Sequence, residues 1–187
     1  MRILGIDPGS LVTGYGVVER RGAGLHHVAH GTLRPPRSAA LADRLAAIHA
    51  GVAGVIDAHR PAFVVVERVF IAANPRTALV LGQARGVALA AAAAAGLRVD
   101  ELSPQAVKLA VVGTGAAKKL QVQRMVQRLL ALEQLPVPDA ADALAAALCA
   151  AQASPRLAIA AALQGASRPL RRARGPRPGG FVLSRIR

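Results

Sequence analysis

The chain has 187 residues, of which 53% are hydrophobic and 2% aromatic, so it is long enough for one α/β domain with an aliphatic, alanine-rich core. Lysine and arginine total 24 against 10 acids, a formal charge of +14, which predicts a polyanionic partner, most simply nucleic acid. The single cysteine, Cys149, excludes an intramolecular disulfide and a cysteine-based zinc site. Because the sequence shows no signal-peptide pattern and no long apolar run, we expect a cytoplasmic protein without a membrane segment.

Hydrophobic periodicity predicts a three-stranded meander followed by alternating helices and strands. In chain order we predict strands at 2–7, 14–20 and 25–33, a helix at 39–59, a strand at 62–67, a helix at 76–95, a strand at 97–102, a helix beginning at Ser103-Pro104, and helices at 118–132 and 139–151. This order predicts an α/β fold in which a mixed sheet is covered by helices.

The positive charge is concentrated at the end of the chain. From Arg156 onward there are eight arginines and no acid, among many prolines and glycines. We therefore predict a folded domain over 1–154 and a basic tail over 155–187 that is disordered and contacts DNA through arginines such as Arg171, Arg172 and Arg174, with the alternative that "RLAIAAALQ" at 156–164 continues as a helix.

Four of the ten acids stand in unusual places. Asp7 ends the first strand and Glu67 ends the strand "FVVVE", while Asp139 and Asp142 lie three residues apart on one face of an otherwise apolar helix. If these carboxylates converge, their mutual repulsion in a low-dielectric cleft is relieved by divalent cations, and hard oxygen ligands suit Mg²⁺ or Mn²⁺. Two such ions form a centre that cleaves phosphodiesters, so a basic protein with an acidic pocket is typical of a nuclease.

Each acid also has a structural interpretation. Asp139 can cap its helix after Pro138, and Asp7 can hold the Pro8-Gly9 turn. Taken singly, these alternatives stay open, but turns and caps do not require strand ends and an apolar helix to carry acids together.

The three lysines, Lys108, Lys118 and Lys119, lie in one short stretch of a chain that otherwise uses arginine. A compact ammonium suits a scissile phosphate, although a solvated basic face is the alternative. The stretch "VVGTGAAKK" lacks the GxxxxGK[ST] spacing of an ATP-binding loop, so its glycines are expected to turn the chain or approach DNA.

The segment after Glu67, "RVFIAANPRTA", turns polar at once. Phe70 on such a loop is suited to stacking on unpaired bases, with a core position as the alternative. We also expect Arg76 and Lys118 to contact DNA.

These blocks resemble the RuvC family of bacterial Holliday-junction resolvases. The segments that carry the resemblance are "ILGIDPGSLVTGYGVV", "VVVERVFIAANPRTALVLGQARGVAL", "VKLAVVGTGAAKKLQV" and "DAADALAAAL", in the family's order and spacing over roughly residues 1–152. The resemblance implies a ribonuclease-H-like fold, a homodimer, and metal-dependent nicks in two strands of like polarity across a four-way junction.

Residue by residue, the resemblance implies that the catalytic and metal-binding acids are Asp7, Glu67, Asp139 and Asp142, assisted by Lys108 and Lys119, with Phe70 inserting at the junction. We expect two Mg²⁺ ions per site, with Mn²⁺ able to substitute. The family's branch-migration complex, RuvA–RuvB, is implied as a partner. We place the dimer interface at or near the alanine-rich helix around 83–95, where small residues let helices approach closely.

Two other functions compete with this interpretation. A sugar-kinase-like or actin-like ATPase also begins with a strand and "DxG", but needs two such domains. A junction-binding protein without catalysis needs the basic surface and not the four acids, so metal-dependent cleavage separates it from a nuclease.

Overall fold

The computed structural model describes residues 1–68 and 74–164, with side chains as far as residue 153. The chain divides into two units, Met1–Pro155 and Arg156–Arg187, and the first contains the sheet and the candidate site. The strands are β1 (Arg2–Asp7), β2 (Thr13–Arg21), β3 (Gly24–Leu33), β4 (Phe63–Glu67) and β5 (Arg98–Leu102), and the helices are α1 (Leu41–His59), α2 (Pro75–Ala94), α3 (Pro104–Val112), α4 (Lys119–Leu129) and α5 (Pro138–Gln164).

The five strands form one mixed sheet in the order β3-β2-β1-β4-β5. The β1–β2 and β2–β3 pairs are antiparallel, whereas β4 pairs in parallel with both β1 and β5. The predicted meander and α/β class are therefore confirmed, and each predicted element is present with ends shifted by a few residues. The last helix, α5, continues through Ser154-Pro155 to Gln164, beyond the predicted end at 151, which agrees with the alternative that 156–164 is helical.

Alternating side chains of the strands build a hydrophobic core on each face of the sheet. Leu4, Ile6 and Val64 pack with α1 and α2 on one face. Ile3, Phe63 and Val65 pack with α3, α4 and α5 on the other. Asp7 lies four residues after Ile3, and Glu67 lies two residues after Val65. Because residues an even number apart on a strand share a face, the side chains of Asp7 and Glu67 lie on the α3–α5 face.

Helix α5 lies directly on the backbone of β1 and β2 because glycines face it. A Cβ atom on Gly5 would overlap the Ala143 carbonyl, and one on Gly14 would overlap the Asp139 carbonyl. The absence of these side chains brings the first turns of α5 against the strand end that carries Asp7.

We expect Gly14→Ala to destabilise the protein by about 1–3 kcal/mol, as overpacking does, and to displace the start of α5 from the sheet. The matched control is Gly54→Ala, since Gly54 lies in α1, a Cβ atom there would meet nothing within 4 Å, and the change should stabilise the helix by up to about 1 kcal/mol. Urea unfolding of both variants measures the difference, and equal stability for the two would contradict the close-packing argument.

Helix α2, with 20 residues and a mean hydropathy of 1.4, is long and apolar enough to cross a membrane. The sequence patterns, by contrast, predict no membrane segment. Four of its alanines, Ala84, Ala88, Ala91 and Ala92, are buried in the core with α1 and the sheet. The helix therefore packs one alanine-rich face on the core and leaves most of its apolar surface exposed, including Leu79 at 70% exposure.

Candidate active site

Asp7 and Glu67 lie side by side at one edge of the sheet. The parallel register pairs Ile6 of β1 with Val66 of β4, so the next residue of each strand is an acid. Parallel neighbours are about 4.8 Å apart, which puts the two carboxylates on adjacent strand ends facing α5. The order β1-β4 in the sheet thus creates the convergence that two separate strand ends in the sequence suggested.

The remaining acids come from α5. Asp142 lines the same cavity as Asp7 and Glu67. Asp139, one turn earlier, does not line that cavity, but its charge contributes to raising the pKa of Asp7. The helix therefore supplies one carboxylate to the cavity and a second within electrostatic reach.

Two lysines face these acids. The Nζ of Lys119, the first residue of α4, lies 3.6 Å from Oδ2 of Asp142. Lys108 on α3 lines the cavity as well. A cation in the first turn of a helix opposes the helix dipole and costs about 0.3–1 kcal/mol, so the acids across the cavity account for Lys119 better than helix stability does.

The cavity has a volume of about 240 Å³ and combines charged groups with an apolar wall. Three carboxylates and two ammonium groups surround it, and Pro104, Val107 and Val122 complete its lining. The sequence patterns do not identify Val107 and Val122, and they indicate Pro104 only as the start of a helix; the one signal for all three is their place one to four residues from Lys108 or Lys119. They restrict water around the charges and so strengthen electrostatic interactions within the cavity.

Burial and mutual repulsion perturb the acids. Burial, followed by the charges of Asp142 and Asp139, raises the pKa of Asp7 from 3.8 to about 7. Burial and the charges of Asp7 and Asp142 likewise raise the pKa of Glu67 to about 7. Burial also raises the pKa of Asp142, against the opposing effect of Lys119. Such perturbation by desolvation and specific charged neighbours is typical of functional sites.

The donor set fits a hard divalent cation. Within the described residues, no hydrogen bond reaches the carboxylate of Asp7 or of Glu67, and both carry an energetic cost of ionisation that a cation would remove. Carboxylate oxygens without cysteine or histidine suit Mg²⁺ or Mn²⁺. In the same part of the chain, no three His, Cys, Asp or Glu side chains stand close enough together to form a ready-made ligand group.

The raised pKa values predict how stability varies with pH. An acid whose pKa rises on folding holds its proton more tightly in the folded state, so the free energy of unfolding falls as pH rises from about 4 to about 7 and then levels off. For Asp7 alone the upper limit is about 4 kcal/mol. We expect the melting temperature of the metal-free protein to fall between pH 5 and pH 8 by several degrees more than that of Asp7→Asn.

The measurement is thermal unfolding in a chelator across that pH range, repeated with Mg²⁺. A divalent cation that binds the ionised acids should restore the wild-type melting temperature most strongly at pH 8. Parallel pH profiles for wild type and Asp7→Asn would contradict a pKa of Asp7 raised by burial and by the neighbouring acids.

The structural alternatives for the acids are not supported by these contacts. The turn after β1 is closed by Thr13, whose hydroxyl donates to the Gly9 carbonyl at 2.7 Å, rather than by Asp7. Helix α5 begins at Pro138, and the carbonyl of Val137 accepts its first helical bond at 2.9 Å. Asp139 is therefore inside the first turn and not at the capping position. Gly113 ends α3 with a φ of 85°, so this glycine turns the chain, as expected.

The structure describes only some of the residues that are predicted to contact DNA. Lys118 is exposed at the N-cap of α4 and does not line the cavity, and Arg76 is exposed in the first turn of α2. Phe70, Arg171, Arg172 and Arg174 lie outside the described residues. Residues 155–164 of the predicted tail continue α5, and the DNA contacts predicted for the tail stay a prediction.

A salt-bridge pair supports the segment beside Glu67. Glu101 on β5 binds Arg85 of α2 at 2.6 Å and Arg68 at 3.7 Å, and the Arg68 amide donates to Leu102 at 2.7 Å. The sequence offered no signal for this arrangement, because its members are distant in the chain.

Known proteins share both the sequence and this fold. Residues 3–150 match the family model described as crossover junction endodeoxyribonuclease RuvC. The proteins of that name from Hyphomonas neptunium and Halorhodospira halophila are 52% and 55% identical, covering 83% and 79% of this chain and 93% and 88% of their own. The Thermus thermophilus RuvC structure in complex with a Holliday junction substrate superposes with a TM-score of 0.78 at 36% identity, covering 83% of this chain and 96% of that one.

Proposed function

This chain belongs to the RuvC family of crossover junction endodeoxyribonucleases, and from that premise we propose that it resolves Holliday junctions by hydrolysing phosphodiesters in the cavity lined by Asp7, Glu67 and Asp142. The observation that carries the proposal is the convergence of these three carboxylates with Lys108 and Lys119 at one edge of the sheet. Enzymes of this family depend on divalent metal. The family assignment also excludes the kinase-like alternative.

The metal would be held by Asp7, Glu67 and Asp142, with Asp139 as the fourth acid; we propose two Mg²⁺ ions per site, for which Mn²⁺ can substitute. Bound cations would supply a water of lowered pKa and Lewis-acid stabilisation of charge on the phosphate. The apolar wall of Val107 and Val122 excludes bulk water from the reacting group.

Lys119 and Lys108 act on the substrate side. Lys119 lies near Asp142 with its side chain 76% exposed, so it can turn from the carboxylate toward a phosphate that enters the cavity. An ammonium aimed at the developing negative charge stabilises the transition state more than the ground state. The paired cation also keeps the acids from repelling an incoming phosphate.

A homodimer gives two such cavities related by a two-fold axis, which matches the symmetry of a four-way junction and paired nicks in strands of like polarity. The exposed apolar part of α2, including Leu79, supports placing the interface at or near this helix. Phe70 would insert at the junction centre, and Lys118, Arg76 and the tail arginines Arg171, Arg172 and Arg174 would bind phosphates. We also propose a cytoplasmic location and cooperation with RuvA–RuvB in recombination and repair.

The direct test is incubation with a synthetic four-way junction and Mg²⁺, followed by mapping of the nicks. We expect two symmetric nicks with ligatable ends, no cleavage in a chelator, and little cleavage of linear duplex. Tight junction binding with no cleavage under any divalent cation would instead identify a binding protein without catalysis.

A further inference from the structure

A second cleft, distinct from the acid-lined cavity, lies between β3 and the loop joining α4 to α5. Its volume is about 590 Å³, against about 240 Å³ for the cavity of the acids. One wall is formed by His27, His30, Gly31 and Thr32 of β3, and the other by residues 130–137 of the loop. The proposed hydrolysis of DNA makes no use of this cleft.

The two histidine rings share a wall because of an irregularity in the sheet. Residues three apart on a regular strand face opposite sides. The register of β2 against β3 shifts between Val17 and Val18, which pair with Ala29 and His27, so that Val28 is an extra residue. The bulge therefore turns His27 and His30 to the same side, toward the α4–α5 loop.

The two rings are in contact through nitrogen atoms. Nε2 of His27 and Nδ1 of His30 are 2.8 Å apart, and the ring planes meet at 62°. Both rings are half-buried, and burial lowers the pKa of each. Neutral imidazoles offer the lone pair that a metal requires, which a protonated pair would not.

We propose that His27 and His30 bind a borderline divalent cation of the Zn²⁺ class through these two nitrogens. With zinc–nitrogen distances of about 2.0–2.1 Å and tetrahedral angles, the nitrogens would be about 3.4 Å apart, so a small rotation of the rings opens the present contact far enough. In the present contact, one ring donates an N–H to the other ring. When a metal binds, that ring carries its proton on its other nitrogen instead, so no proton is released. This ligand class differs from the hard oxygens of the cavity formed by Asp7, Glu67 and Asp142.

The opposite wall of the cleft carries one acid, Glu133, in the α4–α5 loop. Among the described residues no three His, Cys, Asp or Glu side chains lie close enough to form a ligand group, so His27 and His30 are the protein ligands of this proposal and water fills the remaining positions. The loop leads directly into the first turn of α5, which carries Asp139.

The test uses the full-length protein in excess Mg²⁺ titrated with Co²⁺ or Zn²⁺. Wild type should bind one more equivalent of Co²⁺ than His27→Ala or His30→Ala, with a difference spectrum of nitrogen-ligated, tetrahedral Co²⁺. Zn²⁺ should raise the melting temperature of wild type and not of these variants. The matched control is His26→Ala, since His26 is the exposed neighbour on the same strand and does not line the cleft.

Melting of each variant in chelator shows whether it folds, and a folded His30→Gln replaces His30→Ala if the latter does not. Equal Co²⁺ stoichiometry in wild type, His27→Ala and His30→Ala would overturn the proposal, and so would an equal loss in His26→Ala. Because no readout depends on cleavage, failure of this site leaves the junction assay unaffected, and the reverse also holds.

Discussion

Asp7→Asn should abolish junction cleavage, with a fall in single-turnover rate of about 10³-fold or more, while junction binding persists. Asp7 is central to the carboxylate group and carries a pKa raised by burial and by both acids of α5. Replacing it with an amide removes a charged ligand from the candidate metal site, and loss of several kcal/mol of transition-state stabilisation corresponds to this factor. Binding should persist or strengthen, because the variant repels phosphate less.

The matched control is Asp57→Asn, which changes an exposed acid on α1, remote from the cavity, and should cleave at the wild-type rate. Without metal at pH 8, Asp7→Asn should melt at or above the wild-type temperature. Mg²⁺-dependent nicking by a pure preparation of the variant would refute the assignment of Asp7. Melting well below wild type would show instead that Asp7 is structural.

Lys119→Met should lower the cleavage rate at saturating enzyme by about 10²-fold, whereas Lys118→Met should change only affinity. The two lysines are adjacent in the chain and differ in place: the Lys119 ammonium lies 3.6 Å from Asp142 in the cavity, while Lys118 is outside its lining. Removal of a positioned charge from the reacting group typically costs this factor. The two variants have the same net charge and differ by one sequence position. The comparison therefore separates a catalytic role of the ammonium from general electrostatic attraction of DNA.

A third substitution tests the shape of the cation. Lys119→Arg should retain DNA affinity but lose much of the rate, because a planar guanidinium does not replace a compact ammonium. Single-turnover rates and salt-dependent affinities measure both effects. Equal rate losses for Lys118→Met and Lys119→Met would mean that the lysines form only a basic face.

Much of the architecture was readable from local patterns. Alternation and helical spacing placed every strand and helix to within a few residues, except for the far end of α5, where the sequence left both a helical and a disordered continuation open. Strand-end acids and the Asp139/Asp142 pair were visible because charged residues interrupt apolar runs. Such signals arise within one turn or one strand, where backbone geometry relates neighbouring side chains directly.

Other features depended on contacts between distant parts of the chain. That Asp142 enters the cavity while Asp139 stays beside it follows from how α5 rests on Gly5 and Gly14. The Arg68–Glu101–Arg85 group and the shared wall of His27 and His30 likewise depend on pairings between strands and helices. One extra residue in β3 reverses the facing of every side chain beyond it, and no local pattern in the sequence records that shift.

The sequence by itself thus determined the element order, the α/β class, the excess of positive charge and the four exceptional acids, because each follows from composition or from spacing along one element. Only the tertiary structure decided which acids share a cavity, which lysine faces them and which histidines meet. Those outcomes depend on the parallel pairing of β1 with β4, on the close approach of α5 and on the bulge against β2. The physical reason is that a carboxylate, an ammonium or an imidazole acquires its chemistry from groups a few ångströms away, and folding brings those groups from distant positions in the chain.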